Sequence, residues 1–173
     1  VVAFGSVVAT YCHFHFGSVA ADGRTLAELL VQAARRRRPI VSLTPTSTEM
    51  IAAIFEHGER RGLVDPSIAI DRRLRGVSAH CDYPPSLVSR LPRMSRSLIE
   101  TAGRTPEEVE QQVADLMSEG REFYEVDATA VNAVSAASTP PLVVTQHQCA
   151  RCDVTTASVI EQLSGSDGAP ASA

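Results

Sequence analysis

Residues 40–54 read IVSLTPTSTEMIAAI, and this stretch decides the fold. Ile40 to Leu43 is a short apolar-rich run of the kind that forms a buried strand. The polar turn Thr44-Pro45-Thr46-Ser47 follows. Thr46 and Glu49 have capping-box spacing, which predicts a helix start at that point. Met50, Ile51, Ile54 and Phe55 supply its apolar stripe, and His57-Gly58 is the predicted stop. A strand that runs through a hydroxyl-rich turn into a helix N-terminus presents free N–H groups and a partial positive charge beyond the sheet edge.

The same alternation continues downstream. The segment 56–75 is rich in charge and predicts a surface loop with a short helical piece. Arg75-Gly76-Val77-Ser78 is a short strand candidate that runs into AHCDYPP, where paired prolines predict an end to regular structure. Leu91–Ser95 reads as a further short edge strand. The clearest helix is Pro106–Glu119, with Thr105 as N-cap, Pro106 at the first helical position and Glu108 closing a capping box. Val109, Val113, Leu116 and Met117 share one predicted inward face, and Gly120 is the predicted stop. A helix is predicted from Asp127 with Val131 and Val134 inward, then a buried strand over Leu142–Thr145, then a helix over about Thr155–Leu163 carrying Val159, Ile160 and Leu163. Short apolar strands alternating with amphipathic helices predict an α/β fold, a parallel sheet with helices on both faces, as in a Rossmann-like lobe.

Residues 39–163 carry that pattern, and the flanks differ from it. The segment 1–38 is apolar but broken by glycines and histidines, and predicts an N-terminal extension, a remnant signal or a linker. Within it TLAELLVQAA (25–34) predicts a short helix, and Arg35–Arg38 a solvated helix end or linker. The composition of 164–173 is that of a disordered tail. A net charge of −4 disfavours nucleic acid as a partner, since phosphate neutralisation needs a basic surface. Apolar runs stay short of the roughly 18 residues that span a bilayer.

In parallel sheets ligands sit beyond the carboxyl ends of the strands. The turns predicted there, Thr44–Thr48, Ser78–Pro85 and Gln146–Cys152, hold the chemically distinctive side chains. His80 and Cys81 lie in one; His147, Cys149 and Cys152 lie in another. Cys149-x-x-Cys152 has the spacing of half a zinc site or of a redox pair, and Cys81 or a histidine could complete it. The alternative is that these cysteines are small buried residues. Asp82 precedes the two prolines and fits a turn-holding acceptor, whereas Tyr83 can offer a flat face and a hydroxyl to a ligand. Neither a glycine-rich phosphate loop nor a nucleophile–base motif is legible, and nothing specifies an acid–base pair.

Taken together, PIVSLTPTSTEMIAA (39–53), GVSAHCDYPP (76–85), LPRMSRS (91–97) and LVVTQHQCARCDV (142–154) resemble the cobalamin-binding and related metal-chelate substrate-binding proteins of ABC importers. The resemblance is closest to a cysteine-containing, cobalamin-binding-like branch whose motifs read S-L-x-P-S-x-T-E, S-H-E-C-D-Y-P and T-Q-x-x-C-x-x-C. It implies two α/β lobes joined by a long helix, of which this chain covers the N-terminal lobe. It also implies binding and not catalysis, a ligand cleft between the lobes, a corrinoid or iron chelate as ligand with no required cofactor, and ABC transporter membrane subunits as partners. A periplasmic location follows from the resemblance, with a cytoplasmic one as the alternative. Carried over by position, the ligand-facing residues are Thr44, Pro45, Thr46, Ser78, His80, Cys81, Asp82, Tyr83, Gln146 and Cys149. The alternative is a small metal-binding or thiol-redox protein in which Cys81, Cys149, Cys152 and His147 hold zinc, and a further one is an inactive single lobe. The chain departs from the branch at Ala79-His80, where the branch has His-Glu, and at Thr129, which takes the place of an acidic transporter-docking residue.

Overall fold

The computed structural model describes residues 2–4, 7–10, 23–25, 28, 32, 38–62, 65, 69–134, 139–146 and 156–165. In chain order the elements are β1 (Val2–Phe4), β2 (Val7–Thr10), β3 (Ile40–Ser42), α1 (Pro45–Arg60), α2 (Ile70–Arg73), β4 (Leu74–Val77) and α3 (Pro85–Val88). They continue with β5 (Ser95–Ser97), α4 (Pro106–Ser118), β6 (Tyr124–Val126), α5 (Ala128–Ala133), β7 (Leu142–Gln146) and α6 (Thr156–Gly165). The main sheet has the order β1-β2-β7-β3-β4, and its β2–β7, β7–β3 and β3–β4 pairings are all parallel. β5 and β6 form a separate antiparallel ribbon. The α/β class predicted from the alternation is the class observed.

β3 lies between β7 and β4, and its residues serve both faces of the sheet. Ile40 joins Leu142 and Val144 of β7 and Leu74 and Val77 of β4 in one core, which Ile51 and Phe55 of α1 and Leu87 and Val88 of α3 cover. Val41 and Leu43 join Val143 in the opposite core, which Met94, Val126, Val131 of α5 and Val159 of α6 cover. Alternate side chains of a strand point to opposite faces, so a doubly covered strand reads as a nearly continuous apolar run, as β3 does apart from Ser42. Each buried aliphatic side chain contributes roughly 1.5–3 kcal/mol of transfer free energy. Arg38 aligns the entry to this pairing by donating to the carbonyls of Pro140 (2.7 Å) and Pro141 (3.1 Å), and Leu142 N donates to Pro39 O at 2.8 Å.

Several local readings are corrected. α1 starts one residue after Thr44, whose side chain accepts from Ser47 N; Thr46 is not the N-cap and Glu49 closes no box. The helix also runs past His57-Gly58, with Gly58 buried inside it, to Arg60. It stops at Gly62, whose φ of +67° suits glycine. Pro85 opens the short helix α3, so the proline pair ends a loop and starts a turn of helix. The strand expected at Leu91–Ser95 is displaced to Ser95–Ser97, with a single parallel bridge between Arg93 and Val77. That displacement brings Met94 over Gly76, where any Cβ would overlap the Met94 side chain. Met117 is 56% exposed, because only Leu116 of α4 is buried.

Two segments of the predicted extension lie in the sheet. β2 pairs with β7 in the register Val8↔Val144, and β1 folds back on β2. The sheet therefore reaches back across residue 38. Thr25 and Glu28 bond reciprocally, backbone N–H to side chain in both directions, as a helix start does; the rest of 26–34 is outside the described residues except Gln32. Most of the tail 164–173 is also outside them. No helix among the described residues is long and apolar enough to cross a membrane.

Candidate ligand site

β3 lies between β4 and β7, and the helices that follow β3 and β7 cover opposite faces of the sheet. Adjacent parallel strands whose connections depart in opposite directions leave a crevice at their carboxyl ends. Ser42 and the Thr44 turn leave β3 at this edge, the Ser78–Pro85 loop leaves β4 beside it, and Gln146 ends β7.

Beneath the edge is a bed of neutral hydrogen-bonding groups. Thr48 Oγ1 lies 2.9 Å from Ser42 Oγ, 3.1 Å from Thr44 O and 3.0 Å from Cys81 Sγ. Ser78 Oγ is 3.1 Å from Cys81 Sγ, and Ser42 Oγ donates to Thr44 O at 3.3 Å. Each hydroxyl or thiol has one proton to give. One directed chain satisfies them all: Ser78 to Cys81, Cys81 to Thr48, Thr48 to Ser42, and Ser42 to the Thr44 carbonyl. Thr44, Ser42, Thr48, Ser78 and Cys81 are all buried. Leaving a buried hydroxyl without a partner costs about 1–3 kcal/mol, so this chain binds the β4 loop to the start of α1.

Above the bed the side chains face solvent. Thr46, His80, Asp82 and Tyr83 are exposed, and Tyr83, at 59%, is the most exposed large apolar side chain among the described residues. Pro45 is half-buried at the first position of α1. His80 meets Tyr124 of β6 edge-on, with ring centroids 5.4 Å apart. The predicted ligand residues thus separate into an inner set, Thr44, Ser78 and Cys81, and an outer set, Thr46, His80, Asp82 and Tyr83. The side chain of Gln146 and all of His147, Cys149 and Cys152 lie outside the described residues. Among the described residues no group of three or more His, Cys, Asp or Glu side chains could hold a metal ion. For Cys81 to join a zinc site, its sulfur would have to leave both Thr48 and Ser78.

Three positions that build the candidate site were not singled out in the sequence. Thr48 sits on the stripe shared by Ile51 and Phe55, and a hydroxyl on an apolar stripe was the available signal. Ser42 similarly interrupts an apolar strand. Arg93 had no local signal: its Nη1 donates to Ser78 O at 3.0 Å and also to Cys81 O, while Ala79 N donates to Ser95 Oγ at 3.2 Å. Next to Arg93 a cleft of about 480 Å3 opens, lined by Ser95, Arg96, Glu125, Asp127 and Thr129. Arg96 pairs with Glu125 and Asp127 caps α5, so much of the charge in this cleft is compensated within the chain. No family model, curated protein or solved structure matches the chain.

Proposed function

We propose that the chain is the N-terminal lobe of a substrate-binding protein that captures cobalamin or a similar metal chelate for an ABC importer, with a periplasmic location. The observation that supports this reading is the placement of exposed His80, Asp82, Tyr83 and Thr46 at the carboxyl edge of β3 and β4, over a bed that holds their loop in place. A metal chelate is a broad ligand with flat faces and a polar rim. Tyr83 offers a face to stack on, Asp82 and the Thr46 hydroxyl offer rim contacts, and the His80 imidazole offers a nitrogen to the metal. Binding rather than turnover is the chemistry these groups support.

Titration of the chain with hydroxocobalamin, followed by visible absorption, tests this. A saturable shift of the corrin bands is expected, weakened by about tenfold in Tyr83→Ala, the loss of one well-placed aromatic contact. A spectrum unchanged up to millimolar protein removes the reading. Metal analysis of the same sample separates it from the zinc alternative: stoichiometric zinc lost in a Cys149→Ser, Cys152→Ser double variant would support that alternative instead.

A further inference from the structure

We infer that Arg93 is a positioning residue: by clasping both ends of the Ser78–Cys81 turn it sets the presentation of His80, Asp82 and Tyr83, and through them ligand affinity. The inference rests on the binding reading above. Its geometry is a single guanidinium nitrogen, Arg93 Nη1, donating to the carbonyls of Ser78 and Cys81. The turn between them is itself weakly closed, since its own bond, Cys81 N to Ser78 O, is 3.3 Å long. Two carbonyls that face the same way repel each other, and a shared cation removes that repulsion. Arg93 is placed for this by the strand-like pairing on either side of it, Val77 N to Pro92 O at 3.1 Å and Met94 N to Val77 O at 2.8 Å. The Cys81 thiol then locks the turn from below through Ser78 and Thr48. A clasp from the solvent side and a lock from the core side hold one loop. Only the clasp can be removed without opening a cavity, because Arg93 is exposed.

The test uses the full chain and the variants Arg93→Met and Arg93→Lys. Alkylation of Cys81 by iodoacetamide is followed by peptide mass, since the chain has other cysteines. Cys81 is 1% exposed and reacts only when the loop opens. Losing charged hydrogen bonds of this kind raises the open fraction about tenfold, so Arg93→Met should alkylate about tenfold faster, with Arg93→Lys restoring most of the protection. Hydroxocobalamin affinity should fall by a similar factor in Arg93→Met and recover in Arg93→Lys, while the thermal midpoint of Arg93→Met falls only by the few degrees that the same tenfold change implies. An unchanged Cys81 rate in Arg93→Met overturns the clasp. A faster Cys81 rate with unchanged affinity overturns its role in binding. If the parent chain itself binds no cobalamin, the binding reading fails, and the alkylation rates still decide whether Arg93 holds the loop.

Discussion

Two helices of this protein begin with the same dipeptide and end up in opposite circumstances. Thr44-Pro45 opens α1 and Thr105-Pro106 opens α4; in each the threonine is the N-cap and the proline sits in the first turn. At α4 the third helical residue is Glu108, and a full capping box forms: Glu108 N donates to Thr105 Oγ1 at 3.3 Å and Thr105 N to Glu108 Oε2 at 2.7 Å. At α1 the third residue is Ser47, which donates its N–H to Thr44 Oγ1 at 3.3 Å while the Thr44 hydroxyl donates to Ser47 Oγ at 2.6 Å. The first turn of α4 carries Glu107 and Glu108, and that of α1 carries no acid. Burial explains the difference. The α4 start is open to water, so a carboxylate is cheap there. The α1 start is packed at the sheet edge against Ser42 and the β4 loop, where a neutral hydroxyl can be satisfied and a carboxylate cannot. One cap is a local device; the other belongs to the candidate site.

Exchanging the third residues should break the symmetry most strongly. Ser47→Glu places a carboxylate at a position 5% exposed and should cost about 3 kcal/mol or more, enough to leave much of the chain unfolded. Glu108→Ser, the reverse change in an exposed helix start, should cost only about 1 kcal/mol. Urea midpoints measure both, and equal shifts would show that the α1 start is as open as that of α4. The caps themselves come next. Thr44→Ala removes the acceptor of Ser47 N and the partner of Ser47 Oγ, and should cost about 2 kcal/mol; Thr105→Ala should cost about 1 kcal/mol. A Thr105 loss as large as that of Thr44 would remove the distinction between a local and a buried cap.

The same pair of helices shows which parts of the molecule are legible from sequence. The α4 start is written in adjacent residues, so Thr105, Pro106 and Glu108 announce it. β3 and β7 are legible because burial on both faces leaves nearly continuous apolar runs, Ile40 to Leu43 with Ser42 as the one break, and Leu142 to Val144. At α1 the Thr-x-x-Glu spacing of Thr46 and Glu49 mimics a box, and only the buried surroundings decide for Thr44. β5 and β6 pair in a ribbon of three residues each, Ser-Arg-Ser with Tyr-Glu-Val, too short for alternation to register. β2 draws its identity from β7, more than a hundred positions away in the chain, and no local pattern reports that pairing. The candidate site divides in the same way. Its cysteine, histidine and tyrosine stand out by residue type, whereas Arg93 acts through two backbone carbonyls that any sequence would supply.

Smaller changes sharpen the comparison further. Glu49→Ala should move the urea midpoint by no more than about 0.5 kcal/mol, the range of surface substitutions without a cap role. Glu108→Ala should cost about 1 kcal/mol. A larger loss for Glu49 would restore the capping box at Thr46.

The smallest effect is one of pH, and it separates the two helix starts by charge. The Glu107 carboxyl is held below the ordinary carboxylate range, first by its own backbone N–H and then by the Thr105 hydroxyl, which together outweigh the opposing effect of desolvation. Its ionised form is thus favoured in the folded chain. Glu107 therefore adds stability above the pKa it has when unfolded, and that addition disappears as pH falls through the lower folded value. The Thr44–Ser47 start has no carboxylate in its first turn, so its contribution lacks this acid limb. Measured against the parent, Glu107→Gln should be slightly less stable at about pH 7, with a smaller deficit at about pH 3. The deficit of Thr44→Ala should be the same at both. A Glu107→Gln deficit that persists undiminished in acid would assign the role of Glu107 to packing rather than charge, and a Thr44→Ala deficit that shrinks there would place a carboxylate near the α1 start after all.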